Sequence, residues 1–418
     1  MQKLFKIYYK EFKKNKIFYF LNNFFFKLLN LTLTLIIINK ISEINYGQYV
    51  YFISLISIFL TLSCMGIPLL LVKDISATRD KTSRHNHISS LLIFSFIFPI
   101  ILELLLLILF FIIINPDTIK EFKFYFLFYL TQSIILNVLV SFNIAVDKQV
   151  RSQLTETFIR LPFMILLFLS IEYLSINFLL FSLNVGLFLS IAILFYLSFS
   201  EFKFFFKNFF YFSIKLINFK KIIILGITTI IYGLYSRTDI LMLEYLVDLP
   251  QISIYNLAFI IGHIPLLIIT SLNPFIQTII SKNSTTRNFK DTKKILLFSR
   301  FSMAIFSFLF LLFYIFFFKK LISIFMPSFY QESLSISIYL LIYFVIMSPF
   351  YFSEIILMMT DNADFILKCY CFTFIINIIL NYFFIIQYQA KGAIIATILS
   401  LFIANIMMFL KSRLVINK

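Results

Sequence analysis

Three cations, Lys27, Arg160 and Arg237, stand inside stretches that are otherwise long and apolar enough to cross a bilayer. A cation at mid-depth of a membrane helix costs roughly 2.5–3.5 kcal/mol on insertion scales, so a chain that carries several turns them toward a wet interior path. The chemistry such a path offers is recognition of anions, because ammonium and guanidinium groups donate strongly to phosphate and carboxylate oxygens. The substrate to expect is anionic and membrane-bound.

Polar side chains recur around these cations at helical spacing. Asn23, Lys27, Asn30 and Thr34 follow at intervals of four, three and four, which puts them on one face of one helix. That face suits contact with a polar substrate; the other reading is that Asn and Thr join helices to each other while Lys27 snorkels to the inner headgroups. Asn256, His263, Thr270 and Gln277 recur at sevens, with Asn273 and two prolines, Pro265 and Pro274, that should bend their helix. A bent helix with a polar face suits a moving gate. His263 reads either as a donor between helices or, through its near-neutral titration, as a proton carrier.

Arg237 and Asp239 are two residues apart, hence on nearly opposite faces, and should serve different partners. Glu156 and Arg160 are four apart and can pair on one face, so Arg160 stands equally as a neutralised internal cation and as a substrate contact. Asp239, Glu103 and Glu354 are the candidates for protonatable coupling groups, the two glutamates having no cation near them in sequence. Thr373, Asn377 and Asn381 form a further stripe, expected to hold helices together.

These residues need elements that keep them inside a membrane. With 61% hydrophobic and 13% charged residues in 418, the chain is far more apolar than a soluble domain, which carries about 25% charged residues. Spans of about 20 apolar residues are expected near 17–39, 48–72, 88–114, 122–146, 154–171, 176–199, 222–246, 252–280, 295–317, 333–358, 367–387 and 393–410. The expected fold is an all-α polytopic membrane protein with about twelve transmembrane helices. Most of the 36 Lys and Arg fall in the N-terminal tail, the alternate loops and the C-terminus, while the opposite loops hold only Lys40, Lys120, Lys123, Lys319, Lys320 and Lys391. Basic loops stay inside, so both termini are expected to be cytoplasmic. The first apolar stretch is longer than a signal h-region and contains Lys27, so it is expected to be retained as a span.

The net charge of +17 is spread over every cytoplasmic loop, which fits topology and attraction to anionic membrane lipids rather than nucleic acid. Cys64, Cys369 and Cys371 fall at or within spans and imply neither a disulfide nor a metal site. A Gly-rich phosphate loop, an acid pair in an external loop and a soluble domain are all missing from the pattern. Enzymatic chemistry, as in a membrane-embedded acyl- or glycosyltransferase, is the minor alternative.

The basic stretch near 200–221 divides the chain into six spans before and six after, giving expected lobes at 1–208 and 209–418. Such a midpoint is common in transporters built from repeats. Lys27 lies 22 residues before Tyr49 and Arg237 lies 18 before Tyr255, so the two cations sit at similar depth in the opening span of each half.

At this level the chain resembles the O-antigen and polysaccharide flippases of the multidrug, oligosaccharidyl-lipid and polysaccharide exporter superfamily, over most of its length. The residues that carry the resemblance are Asn45-Tyr46-Gly47-Gln48-Tyr49, then Met65-Gly66-Ile67 with the basic segment from Lys73 to Arg84. They continue in Tyr235-Ser236-Arg237-Thr238-Asp239-Ile240-Leu241-Met242-Leu243 and Ile254-Tyr255-Asn256-Leu257-Ala258. The family usually has Arg where Lys73 stands and Ala where Phe52 stands. The resemblance implies a V-shaped pair of pseudo-symmetric six-helix bundles with alternating access of a cationic central cavity. It implies an undecaprenyl-pyrophosphate-linked oligosaccharide moved from the inner to the outer leaflet of the bacterial cytoplasmic membrane for O-antigen, capsule or another surface polysaccharide. Lys27 and Arg237 would hold the pyrophosphate, the polar stripes would face the sugar, and a proton or sodium gradient would drive the cycle without any organic cofactor. Polysaccharide polymerase and chain-length machinery would be its partners. The same fold also serves cation-coupled multidrug antiporters, the runner-up, whose substrates favour buried acids over buried bases.

Overall fold

The computed structural model describes residues 29–77, 81–113, 121–146, 151, 161–166, 169, 175–199, 217, 219–266, 280, 290–360 and 362–417. Among these residues all regular structure is helical. In lipid that is the expected outcome, because a helix satisfies its own backbone donors and acceptors where no water can. Among the described residues seven helices are long and apolar enough to cross a membrane, and three shorter apolar ones, Leu29–Ile38, Ile222–Tyr235 and Leu249–Gly262, stand where spans 1, 7 and 8 were expected. Most of expected span 5 lies outside the described residues.

Contacts group the chain into two compact units, Met1–Gly47 with Thr238–Lys418, and Gln48–Arg237. The boundaries therefore differ from the midpoint division at residues 208 and 209. One falls near the start of a helix and the other in the turn at Ser236 and Arg237.

The Gln48–Arg237 unit is built from α2 (Glu43–Cys64, beyond its first turn), α3 (Ile67–Ala77), α4 (Lys81–Ile113), α5 (Lys123–Ala145), α6 (Ile176–Leu197) and α7 (Phe219–Tyr235), with α1 denoting the earlier helix Leu29–Ile38. Along α5 the fully buried residues Phe126, Leu130, Ile134, Val138 and Phe142 recur at fours and form one inward stripe. Their outward neighbours Phe124 and Phe128 are equally apolar and exposed, as a lipid-facing surface requires. The C-terminal part of the stripe, Val138 and Phe142, joins Leu70 and Leu71 of α3, Leu91 and Leu92 of α4 and Leu194 of α6 in one core.

Span 2, expected to run unbroken over 48–72, is interrupted between α2 and α3. Met65 and Gly66 both take positive φ, 42° and 70°. A Cβ on Gly66 would stand 2.8 Å from the Leu225 carbonyl carbon, so only glycine fits where α7 comes this close.

The other unit contains α1, the first turn of α2, α8 (Thr238–Leu246), α9 (Leu249–Gly262), α10 (Lys290–Phe313), α11 (Lys319–Ile324), α12 (Gln331–Met347), α13 (Ser353–Met359) and α14 (Ala363–Asn417). Expected span 7 is broken at Ser236 and Arg237, which separate α7 from α8. Expected span 10 is broken too: α12 ends in a short turn at Ser348–Phe350, and Phe352 with φ 68° begins α13. Arg300 of α10 donates Nε to the Tyr351 carbonyl at 2.9 Å and Nη2 to Ser353 Oγ at 3.3 Å. Irregular backbone at membrane depth needs protein donors of this kind. α14 joins expected spans 11 and 12 through a reversal at Gln389, φ 51° and ψ −130°.

Candidate functional site

The reversal at Gln389 determines which side chains of α14 meet. Asn381 lies eight residues before it and Thr397 eight after, so at 1.5 Å per residue both arms present them about 12 Å below the turn. Nearer the turn the arms touch closely: a Cβ on Gly392 would stand 2.0 Å from the Phe384 carbonyl oxygen. α8 brings the third component. Asp239 is in its first turn, where backbone N–H groups favour a negative charge, and is only 3% exposed.

Three neutral donors converge on the Asp239 carboxylate, each within 2.6 Å: Tyr255 Oη and Thr397 Oγ1 on Oδ2, and Asn381 Nδ2 on Oδ1. A second layer steadies them. Asn381 Nδ2 also donates to Asn377 Oδ1 at 3.0 Å, and Asn377 Nδ2 donates to Ser400 Oγ at 3.2 Å. The Thr397 hydroxyl, with one proton to give, is also 2.9 Å from the Ala393 carbonyl. Asn381 Oδ1 is buried and finds no hydrogen-bond partner among the described residues. The result is a carboxylate ringed by groups that can each offer either a proton or an oxygen lone pair.

Tyr255 reaches this site from α9, whose position is set at its N-terminal end. Asp248 caps the helix by accepting from Gln251 N at 3.0 Å. Ser253 Oγ donates to the Glu43 carbonyl at 2.6 Å, and Asn256 Nδ2 donates to Tyr46 Oη at 2.7 Å. Gly47 lies so close to the start of α9 that a Cβ on it would stand 2.2 Å from the Leu249 carbonyl oxygen. Asn45-Tyr46-Gly47 and Tyr255-Asn256, noted in the sequence as separate motifs, are thus one packed junction.

The remaining candidates are distributed elsewhere. Arg237 is half-buried in the turn before α8, its Nε 3.4 Å from Ser57 Oγ, and so meets a different partner from Asp239. Asn30 is half-buried on α1, and its carbonyl accepts from Thr34 Oγ1 at 2.9 Å. His263 ends α9 with Nδ1 2.9 Å from the Phe259 carbonyl, its ring stacked on Phe259 and edge-on to Phe344. Glu103 is fully buried on α4 and accepts from Thr131 Oγ1 at 2.8 Å, while its Oε2 has no partner among the described residues. Glu354 accepts from Tyr370 Oη at 2.6 Å. Lys27, Asn23, Arg160, Glu156, Thr270, Asn273, Pro274 and Gln277 lie outside the described residues.

Tyr255, Asn377, Asn381 and Thr397 were not singled out from sequence as partners of Asp239. The signal was present in part: Asn377 and Asn381 share a face at a spacing of four, as do Ala393 and Thr397. What was missing is the reversal that turns those two faces toward each other.

A family model described as polysaccharide biosynthesis protein matches residues 12–279. No curated protein matches the chain. In structure the chain is similar to an inward-facing multidrug resistance MATE family transporter of the MOP superfamily, with a TM-score of 0.76 and 14% identity over 94% of each chain. It is similar also to a MOP superfamily transporter from Pyrococcus furiosus, for which a reverse polarity of the binding pocket suggests a different function, with a TM-score of 0.70 and 15% identity over 96% of this chain and 95% of that one. MATE in a straight conformation gives a TM-score of 0.70 and 15% identity over 96% of this chain and 94% of that one. At these identities the likeness is one of fold, that of multi-pass membrane transporters.

Proposed function

We propose that this chain, which belongs to the polysaccharide biosynthesis protein family, is a flippase that moves a pyrophosphate-linked oligosaccharide on an undecaprenyl lipid from the inner to the outer leaflet of a bacterial cytoplasmic membrane. The match of the family model over 12–279, on a chain with a transporter fold, is the observation that carries this reading. The step is physical rather than chemical: no bond is made or broken, and the protein supplies a path in which a charged headgroup trades water for protein donors. The chain is on this reading a transporter and not an enzyme.

Lys27 and Arg237 are the proposed pyrophosphate donors, with Arg160 as a further contact, because Lys and Arg are the side chains that hold phosphate oxygens best. Asn23, Asn30, Asn256 and His263 would exchange hydrogen bonds with sugar hydroxyls, while the undecaprenyl tail stays in lipid. The glycan, O-antigen or capsule, would pass on to polymerase and chain-length machinery. Driving force would come from an ion gradient acting through Asp239, with Glu103 and Glu354 as the other acids available. The Asp239 network supports this ordering, since of these three acids it alone, among the described residues, holds its carboxylate with three side-chain donors.

The test is complementation of a flippase-deficient strain carrying the matching glycan genes, scoring surface glycan against protein level. Wild type should restore glycan, Lys27→Ala and Arg237→Ala should fail at normal abundance, and Arg237→Lys should restore part of it. Normal transport by both alanine variants would remove these cations from the substrate path.

A further inference from the structure

We infer that the exposed strip of α12 between Lys319 and Lys391 is a binding site for one anionic glycerophospholipid, whose phosphodiester head lies between the two ammonium groups and whose acyl chain runs down Ile342 and Ile346. The inference is independent of the flippase reading and of the Asp239 network.

The strip follows from the spacing along α12. Glu332, Ser335, Tyr339, Ile342 and Ile346 recur at intervals of three, four, three and four, which puts them on one helical face, and all five are exposed. From the start of the helix the face passes from an acid through a hydroxyl and a phenol to bare isoleucine, over about 21 Å. That is the order of a leaflet from water to hydrocarbon. Lys319 of α11 donates Nζ to Ser335 Oγ at 3.3 Å, and the Nζ of Lys391 from α14 stands over the Tyr339 ring, 5.3 Å from its centre. Cations from two different helices thus flank successive turns of one face, above its apolar part. Both belong to loops expected from sequence to lie outside, which on that topology puts the site in the outer leaflet.

An irregular turn aims Lys319 at the strip. Between α10 and α11 the backbone forms a π-helical turn over Tyr314–Phe318. Tyr314 Oη donates to the Leu334 carbonyl at 2.9 Å and lies 2.7 Å from Ser337 Oγ. In a regular α-helix two residues five apart point about 140° away from each other. The wider turn lets Tyr314 and Lys319 both face α12, and such turns interrupt α-helices mostly at functional sites.

Charge names the occupant. Among the described residues neither ammonium is paired with a carboxylate. Glu332 lies a turn farther toward the start of α12, and Lys320 adds another exposed cation on α11. The local charge is positive, and a zwitterionic head would bring one more ammonium to it, so an anionic phosphodiester is favoured. A polyprenyl carrier also bears phosphate, but an open, one-sided strip fills by mass action with the commonest anionic lipid around it. Bound there, the lipid ties α11 to α14. The helix it secures is loosely held, since the apolar stretch within Lys293–Ile324 is 17% buried against 56% for that within Ser328–Phe350.

The chain has no tryptophan, so Ile342→Trp places a single reporter at the strip, and Phe128→Trp places one on the exposed face of α5. Full-length protein with either reporter is reconstituted in phosphatidylcholine containing increasing fractions of brominated phosphatidylglycerol, whose acyl bromines quench a tryptophan they touch. At Ile342→Trp, phosphatidylglycerol should bind about five-fold more tightly than phosphatidylcholine, the factor one lysine contributes near an anionic head. At Phe128→Trp the two lipids should bind alike. Adding Lys319→Gln with Lys391→Gln should remove the preference at Ile342→Trp while quenching by brominated phosphatidylcholine stays unchanged, a sign that the fold is intact. Lys123→Gln, which alters a cation over Phe111 outside the strip, should leave the preference in place. No preference at Ile342→Trp, the same preference at both reporters, or a preference that survives the double variant overturns the inference. So does quenching by brominated phosphatidylethanolamine as strong as by phosphatidylglycerol, or recovery of fluorescence on adding a small fraction of undecaprenyl phosphate, which would make the carrier the occupant.

Discussion

Asp239 and Glu103 are both buried carboxyls on apolar helices, one in each compact unit, and their surroundings are opposite. Asp239 begins a helix and receives Tyr255, Asn381 and Thr397. Glu103 sits mid-helix on α4, where Thr131 serves one oxygen and the other has no partner among the described residues. A buried charge persists only where hydrogen bonds replace the water it has lost. Acids that look equivalent in sequence thus differ in what they can hold: the Asp239 pocket can accommodate a charge that comes and goes, and the Glu103 pocket lacks the donors to do so.

The most severe way to break this contrast is Asp239→Ala. It would remove the acceptor shared by three buried donors, a loss of roughly 1–3 kcal/mol, and is expected to abolish glycan transport and lower the thermal unfolding midpoint in detergent by the largest margin of the set. Gly392→Ala acts on the hairpin rather than on the acid. Its Cβ would meet the Phe384 carbonyl, and overpacking of this kind costs roughly 1–3 kcal/mol; separating the arms should also impair transport, while the packing around Glu103 stays as it is.

Thr397→Val removes one donor from a carboxylate that keeps two others, so a loss of about 1 kcal/mol is expected from thermal unfolding. Glu103→Gln should do least. The amide carbonyl can still accept from Thr131, stability should change by less than about 1 kcal/mol, and surface glycan should stay near the wild-type level. A Glu103→Gln variant as inactive as Asp239→Asn would show that both units carry a coupling group, and the contrast drawn here would collapse.

Much of this was legible along the chain. Apolar length marked the spans, because any segment in lipid must close its own hydrogen bonds and so must be helical. Spacing suggested that Arg237 and Asp239 serve different partners, and they do, although a break in the helix at Ser236 and Arg237 separates them rather than opposite faces of one helix. Buried charge marked Asp239, Glu103 and Glu354 as candidates because charge at membrane depth is costly wherever it stands. The breaks were harder. Met65 and Phe352 are ordinary residues at positive φ, which nothing in their side chains announces, and Arg300 carries no local sign that the Tyr351 carbonyl stands against it.

By itself, then, the sequence determined the solvent, the helical class and the inventory of polar groups, since those depend on composition and on spacing along one helix. Only the tertiary structure decided that Asn381 and Thr397, sixteen residues apart across a reversal at Gln389, close on the same carboxylate. It also ranked Asp239 apart from Glu103. Hydrogen bonds between helices depend on which faces meet, and no periodicity within one helix records its neighbour.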